Sequence, residues 1–530
     1  MRLFERIFES KLWRKRAQQT CTLAVAWAIS SVSSQAAIAE AWVQRYNDPA
    51  NSNDLAEAVA VDKNGNVIVT GTSHNAVNAD YYTTKYAAGG DLLWEQRYNG
   101  PTNGSDHAYC LALDDSGNVL VAGSSQDQFH LVKYAAPDGA LLWEQRRTNG
   151  YGRGVAIGAD ESGNVIVTGV FTDGTSGDYY TAKYASSNGT LLWEQRYNGP
   201  ANRSDEPRAL ALERNGNAVV TGTSHDSPSN TAYYTAKYAA TSGLLLWDRR
   251  YDGSTENYAQ GVAVDDAGDV VVTGISISGG NTDWYTIKYA ATNGGTLWEK
   301  RYNGPGNGDD DARTVVIDHN RDVIVTGYSF GTNGNFDAYT VKYSGTDGRV
   351  LWDKRYNGPG NDADLANAVA VDSVGNVVVA GVSSDRFRNH DYYTAKYATA
   401  DGALLWEQRY NGPSNGADLV ASSHGLSLGA HGIVAITGYS DGDFGPETIY
   451  DYATVVYREG LSRITLVPVA SGVRIRFPGI SGSTYQIQRA SVITGPWNTI
   501  ATVTASNNDA LEYLDPQQSV MTFYRTALAP

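Results

Sequence analysis

The chain has 530 residues, with 57 Asp and Glu against 41 Lys and Arg and a formal charge of -16. That balance excludes nucleic acid and anionic membrane surfaces as partners, because both require a basic footprint. Gly and Tyr are abundant while Met and Phe are scarce, a composition suited to tight turns and half-buried strands.

The N-terminus reads as an export signal. Arg2, Arg6, Lys11, Arg14, Lys15 and Arg16 form a basic region, Leu23 to Val32 is apolar, and Ala37-Ile38-Ala39 offers a small-x-small cleavage site before Glu40. The apolar run is too short to span a bilayer, and no later segment reaches about 18 apolar residues. Cys21 lies inside the signal, so Cys110 is left alone and the mature chain has no intramolecular disulfide.

From Trp42 onward one unit recurs. Trp42, Trp94, Trp143, Trp193, Trp247, Trp298, Trp352 and Trp406 stand about 50 residues apart, a period that marks propeller blades. An Arg follows each Trp by three residues (Arg45, Arg97 and so on to Arg409). A Gly closes a Val-rich run in every unit, from Gly71 to Gly438, and a Lys-Tyr pair ends all but the last, which has Val456-Tyr457. Each unit reads as four short strands. In the first these are Trp42 to Tyr46, Ala58 to Val61, Val67 to Thr70 and Tyr81 to Tyr86. Asp62 to Asn66 and Thr241-Ser242-Gly243 exemplify the two tight hairpins.

A lone four-stranded unit leaves both faces bare, and radial stacking covers them. The expected fold is therefore an all-β, eight-bladed β-propeller over residues 40–459, preceded by a signal peptide (1–39) and followed by a small β-sandwich (460–530). The Trp42 strand has no blade before it, and the last unit lacks an outer strand. The first is expected to complete the second and close the ring.

The tight hairpins fall on one face of the disc, and the crossings and variable loops, such as Ser73 to Asp80, on the other. Binding is expected on that long-loop face. Asp54, Asp106, Asp205, Asp310, Asp364 and Asp418 recur there, as do Asp80, Asp178, Asp283, Asp337, Asp391 and Asp451. They can draw cations or sugar hydroxyls, but repetition at one position points to turn capping. A ligand-specific place should instead break the repeat. His74, His107, His225, His390 and His424 do so, Trp284 replaces a repeat Tyr, and Phe129, Phe171, Phe330 and Phe387 lie in or near the variable loops. The candidate binding set is His74, Asp106, His107, His225, Trp284, Asp310, His390, Asp391 and His424. No His pair has zinc spacing, and Asp309-Asp310-Asp311 lacks the alternation of a calcium loop. The Trp, Arg and Lys marks are assigned to the scaffold, with Glu95, Glu144 or Glu194 pairing with Lys or Arg.

Ala368 to Asp372, Gly375 to Gly381 and Asp391 to Tyr397 resemble the bacterial SBBP-type β-propeller repeat, and the resemblance covers roughly residues 42–457. It implies an exported or surface protein. That family's name refers to seven blades, and the count here is eight. Ala240 to Trp247 is similar to the Trp-docking motif of the eight-bladed quinoproteins, which bind pyrroloquinoline quinone and calcium. The motif's Asp position holds Ala239, and no adjacent Cys pair exists.

Residues 461–530 alternate as strands at Ile464 to Pro468, Gly472 to Phe477, Thr484 to Arg489, Asn498 to Val503 and Thr522 to Ala527, with Tyr485 and Trp497 as core. The module resembles fibronectin type III-like domains. The function expected from the sequence is a monomeric, non-catalytic binding scaffold, secreted, periplasmic or on the cell surface. It would present the long-loop face to a glycan or an extracellular protein and carry no cofactor, calcium being the one weak candidate. The rival is a polysaccharide hydrolase or lyase with its site at the central opening. A degenerate quinoprotein relative is the third candidate.

Overall fold

The computed structural model describes residues 38–442 and 449–459, apart from 173, 175, 228, 254, 387 and 388, and in the C-terminal module 465–469, 471–478, 484–490, 497–504, 510–516 and 523–528. Residues 1–37 of the segment expected to be an export signal, with Cys21, and Phe387 lie outside the described residues. Among these residues there is no α-helix, and the one helical turn is a 3-10 turn at Ala430–Gly432. No helix among them is long and apolar enough to cross a membrane.

The first sheet orders Asp54–Val61, Val67–His74, Ala79–Tyr86 and Leu92–Tyr98 side by side, each antiparallel to the next. Six further four-stranded sheets repeat that order over 106–146, 151–197, 206–251, 257–302, 310–356 and 364–410. In the eighth, Asp418–Val420 and Leu426–Gly429 both pair with Ile433–Asp441, which pairs with Tyr450–Glu459. The N-terminal strand Ile38–Tyr46 lies on its outer side, with Trp42 opposite Val456. The small-x-small site thus runs into a strand, since Ile38 and Ala39 pair with Glu459 and Arg458. The strands are longer than the sequence suggests. His74 pairs with Ala79, so the expected loop from Ser73 to Asp80 shrinks to residues 75–78.

Each repeat mark has a mechanical role. The inner strand of the first sheet bulges between Ala56 and Ala58, directly opposite Gly71. A Cβ on Gly71 would meet the Leu55 carbonyl and the Tyr452 hydroxyl of the neighbouring sheet, so only glycine lets the bulge and the sheet approach so closely. The Asp62 hairpin closes with Gly65 at φ 81°, and the Asp62 carboxylate accepts the Asn64 and Asn66 amides. The same carboxylate takes the Lys of the Lys-Tyr pair: Lys85 Nζ lies 3.0 Å from Asp62. Equivalent buried pairs join Lys133 to Asp114 at 2.8 Å, Lys183 to Asp160 at 2.7 Å, Lys288 to Asp265 at 2.9 Å and Lys342 to Asp318 at 2.6 Å.

Sheets are fastened to one another by a shared acceptor. Lys85 Nζ and Trp94 Nε1 both donate to the Ala136 carbonyl in the hairpin of the next sheet, at 3.0 and 3.2 Å. Lys133 and Trp143 do the same to Ser186, and Lys183 and Trp193 to Ala240. The hairpin glycine packs on the indole, as Gly243 does on Trp193. This is the packing that the Trp-docking resemblance implies. The eighth sheet uses Arg458 and Trp42 on the Ala88 carbonyl of the first sheet. One apolar cluster joins Ala56, Val67 and Tyr82 of the first sheet to Ile433, Tyr452 and Val456 of the eighth.

Two expectations change. Lys pairs with the hairpin Asp and not with the Glu beside Trp. Glu95 instead accepts the Tyr82 hydroxyl at 2.5 Å, and Glu144 faces His130 at 3.4 Å. Arg147, outside the repeat marks, does pair with Glu194. In the C-terminal module, Thr465–Val469, Gly472–Pro478 and Ala510–Asp515 form one sheet, while Asn498–Thr504, Thr484–Ala490 and Phe523–Leu528 form another. The strand at Ala510–Asp515 is additional to those read from sequence. Tyr485 is in the core and Trp497 is half-buried.

Candidate functional site

The repeated Asp residues at the long-loop end are occupied by the fold. Asp106 and Asp310 are fully buried. Asp106 accepts the Gly100 amide at 2.6 Å and the Ser125 hydroxyl, and Asp310 accepts the Gly304 amide at 2.6 Å and the Phe330 amide at 3.0 Å. The second set binds the Arg that follows each Trp: Arg97 to Asp80 at 3.1 Å, Arg301 to Asp283 at 3.0 Å and Arg355 to Asp337 at 3.0 Å. Asp391 is buried with Arg409 3.9 Å away, and burial pushes its carboxyl up to about 6.

The aromatic candidates also belong to the interior. Trp284 is buried, and its Nε1 donates to the Tyr328 carbonyl at 3.0 Å. That bond replaces the one the repeat Tyr makes to the next sheet, as Tyr233 does to Tyr285 at 3.2 Å. Phe129 and Phe171 are buried too. Asp106, Asp310, Trp284, Phe129 and Phe171 are therefore not accessible to a ligand, because turn capping and inter-sheet packing consume them.

The histidines separate into two groups. His74 and His107 stand with ring centroids 6.2 Å apart. His74 Nδ1 lies 2.6 Å from the Asn53 carbonyl, and His225 Nδ1 lies 2.6 Å from that of Ser204. His390 Nδ1 is 2.8 Å from the Ser384 hydroxyl. All four sit at strand ends on the long-loop face. His424 lies elsewhere. The inner strand of the eighth sheet breaks between Val420 and Leu426, and the break turns Ser422, Ser423 and His424 inward.

There they meet a cavity of about 320 Å³ to which all eight sheets contribute, among them through Glu57, Tyr109, Arg153, Arg208, Gln260, Arg313 and Asn367. Most of these stand at one place. Each of the first seven inner strands bulges between two small or compact residues, as at Ala56/Ala58, Ala108/Cys110, Ala259/Gly261 and Ala366/Ala368. The bulged residue enters the cavity. Its neighbours repeat, but it does not: Glu57, Tyr109, Val155, Arg208, Gln260, Arg313 and Asn367 differ in charge, size and polarity. A varied position inside a repeated frame is where a scaffold can carry a specific site. Sequence reasoning sought exceptions in loops and missed this one. The signal is a variable residue between small or compact ones.

Arg208 is paired with Glu206 at 3.0 Å, and Arg313 with Asp311 at 3.1 Å. Burial pushes the Glu57 carboxyl from its ordinary 4.5 up to about 7, and it lowers the affinity of His424 for a proton. Because the folded state holds the Glu57 proton more tightly than the unfolded chain, stability from this group is greatest below about pH 4.5 and is lost as pH rises through 7. Glu57→Gln is expected to lie close to the parent near pH 4.5 and to exceed it by about 3 kcal/mol at pH 8, read from denaturant melts at both pH values. A constant difference would show that Glu57 does not carry the proton.

Among the described residues no group of three His, Cys, Asp or Glu side chains is placed to hold a metal ion. The donor set does not fit a pyrroloquinoline quinone with its calcium: Glu57 is the one carboxylate lining the cavity, and calcium takes six to eight oxygen ligands.

None of the curated proteins matches this sequence. Among solved structures, Sqt1 from Chaetomium thermophilum is 12% identical with a TM-score of 0.50, covering 80% of this chain and 100% of that one. BamB from Moraxella catarrhalis is 13% identical with a TM-score of 0.48, covering 80% and 100%. The quinohemoprotein alcohol dehydrogenase from Comamonas testosteroni is 11% identical with a TM-score of 0.49, covering 82% and 79%. Such identities bear on fold alone. The family described as outer membrane protein assembly factor BamB matches residues 10–221, 82–326 and 232–444, and with the repeated sheets around one cavity this chain belongs to that β-propeller family.

Proposed function

We propose that the chain is an exported, non-catalytic binding scaffold: an eight-bladed propeller closed by its N-terminal strand, carrying a C-terminal β-sandwich and acting outside the cytoplasm. Its binding place is the central cavity and the long-loop rim that holds His74, His107, His225 and His390, and its ligand is a glycan or an extracellular protein. One observation carries this reading: the repeat invariants are spent on holding sheets together, while variation concentrates on the bulged residues that line the cavity. A family named for an assembly factor of the outer membrane agrees with a binding role. The rival hydrolase needs two carboxyls flanking a bond, and among the described residues Glu57 is the one that lines the central cavity.

A glycan array with and without calcium, paired with an assay for released reducing ends, tests this. The expected result is binding without release, lost in Gln260→Trp, which fills the cavity while the melting temperature stays within about 2 °C of the parent. Release of reducing ends, or binding indifferent to Gln260→Trp, would overturn it.

A further inference from the structure

The third sheet departs from the others at the cavity rim. The turn after the second strand of its neighbour is reduced to Gln126 and Asp127, both at positive φ. The crossing from Arg146 to Tyr151 is shorter than that from Tyr98 to Asp106. The position that caps the crossing elsewhere, Asp106 in the second sheet, is Gly152 here. The two inner strands show the correspondence, since Ala108 pairs with Gly123 and Gly154 with Gly169. Less backbone stands over this part of the rim, and a second cavity of about 410 Å³ opens between the second and third sheets. It shares Tyr109 and Arg153 with the central one, so the two communicate.

Arg153 stands at that junction, and it differs from the other cavity arginines. Arg208 and Arg313 each carry a carboxylate two residues earlier on the same strand, Glu206 and Asp311, as counterion. Two residues from Arg153 are Tyr151 and Val155, neither of which can neutralise it. Among the described residues Arg153 forms no ion pair and is exposed; Asp127, whose carbonyl accepts the Gly152 amide at 2.7 Å, is the carboxylate that lines the second cavity beside it. Tyr151 beside it is 67% exposed, a large aromatic surface on a strand end with a cavity wall behind it. In a protein of charge -16, one unpaired guanidinium in a concave site is a specific attractor for one negative charge.

We infer that the junction of the two cavities binds the carboxylate of an acidic sugar, a uronate unit of a polysaccharide, with Arg153 as the anion contact and Tyr151 as the stacking platform. The inference rests on the scaffold reading and names its ligand class. A guanidinium grips a carboxylate bidentately, and an exposed Tyr ring suits the apolar face of a pyranose. The hydroxyls and amides of Tyr109, Gln260 and Asn367 supply hydrogen bonds for a hydroxyl-rich ligand. A single unpaired cation suits one carboxylate better than a dianionic phosphate.

The test is calorimetric titration of the full-length mature chain with a tetragalacturonide and with its methyl ester, which keeps every ring hydroxyl and removes the charge. The parent is expected to bind the acid at least about tenfold more tightly than the ester. Arg153→Met should abolish that preference, Arg153→Lys should restore part of it, and Tyr151→Ala should weaken acid and ester alike. Melting curves of each variant verify the fold. Equal binding of acid and ester, or an Arg153→Met variant that keeps the preference, overturns the anion assignment and leaves the scaffold reading standing. Failure to bind either probe also overturns the assignment, whereas the scaffold reading fails only if the array shows no cavity-dependent ligand of any class.

Discussion

Deleting residues 40–50 is expected to lower the melting temperature by roughly 10 °C and to make the protein prone to aggregation. The strand Ile38–Tyr46 is the outer member of the eighth sheet. Its partner Tyr450–Glu459 holds Val455, Val456 and Tyr457 fully buried, and without a neighbour it becomes a long apolar edge. Side chains add to the backbone pairing. Arg45 lies 3.0 Å from Asp451 and 2.5 Å from the Ser440 hydroxyl, and Trp42 Nε1 and Gln44 Nε2 donate to Ala88 and Gly90 of the first sheet. The strand therefore joins the two chain ends of the repeat array as well as finishing a sheet. Losing it removes about 5 kcal/mol of burial and pairing. A synthetic peptide of residues 38–50 added in trans should recover part of the loss by strand addition. An unchanged melting curve would show that the ring does not depend on this strand.

Much of this architecture was legible because each mark repeats and each repeat has one mechanical cause. Trp, Gly, Lys-Tyr and Arg recur since every sheet meets the next through the same carbonyl, the same close approach and the same ion pairs. The Asp residues at the long-loop end were legible as turn caps for the same reason, and Asp106 and Asp310 are indeed occupied by amides and hydroxyls. The cavity was harder to see. A bulge shifts the two-residue alternation of a strand by one, so Glu57, Arg208 or Arg313 read as ordinary polar positions. They converge because successive sheets line one cavity, and no single repeat contains it. His424 was found as an exception to the repeat, but its place inside the cavity follows from the split inner strand of the last sheet. In the C-terminal module the strand Ala510–Asp515 is hard to read because its apolar-polar alternation breaks: Leu511 and Tyr513 join the core and Glu512 faces Arg474 and Arg476, but Leu514 is exposed and Asp515 is buried.

Asp114→Ala is expected to cost about 4 kcal/mol and Lys133→Met about 3 kcal/mol, while the double variant costs no more than Asp114→Ala alone. Lys133 and Asp114 are both almost wholly buried and lie 2.8 Å apart. Removing the carboxylate strands an ammonium whose remaining acceptors are the carbonyl and hydroxyl of Ser186, at 3.1 and 3.0 Å. It also frees the Ser116 and Asn118 amides that the carboxylate accepts in the hairpin. Removing the lysine leaves the carboxylate with those amides, so it costs less. The pair fastens one sheet to the next, because Ser186 belongs to the hairpin of the following sheet and also receives Trp143. Acid supplies a second readout. Burial alone would raise the Asp114 carboxyl, but hydrogen bonds from Lys133 and Asn118 outweigh it and hold the carboxyl below its ordinary 3.8. Its contribution is therefore present above pH 3.8 and disappears as pH falls through the depressed folded value. The stability gap between the parent and Lys133→Met should narrow over that acid range and stay constant from pH 5 to 8. Single costs that simply add, or a gap indifferent to acid, would mean that the repeated Lys is held by its stem and not by its charge.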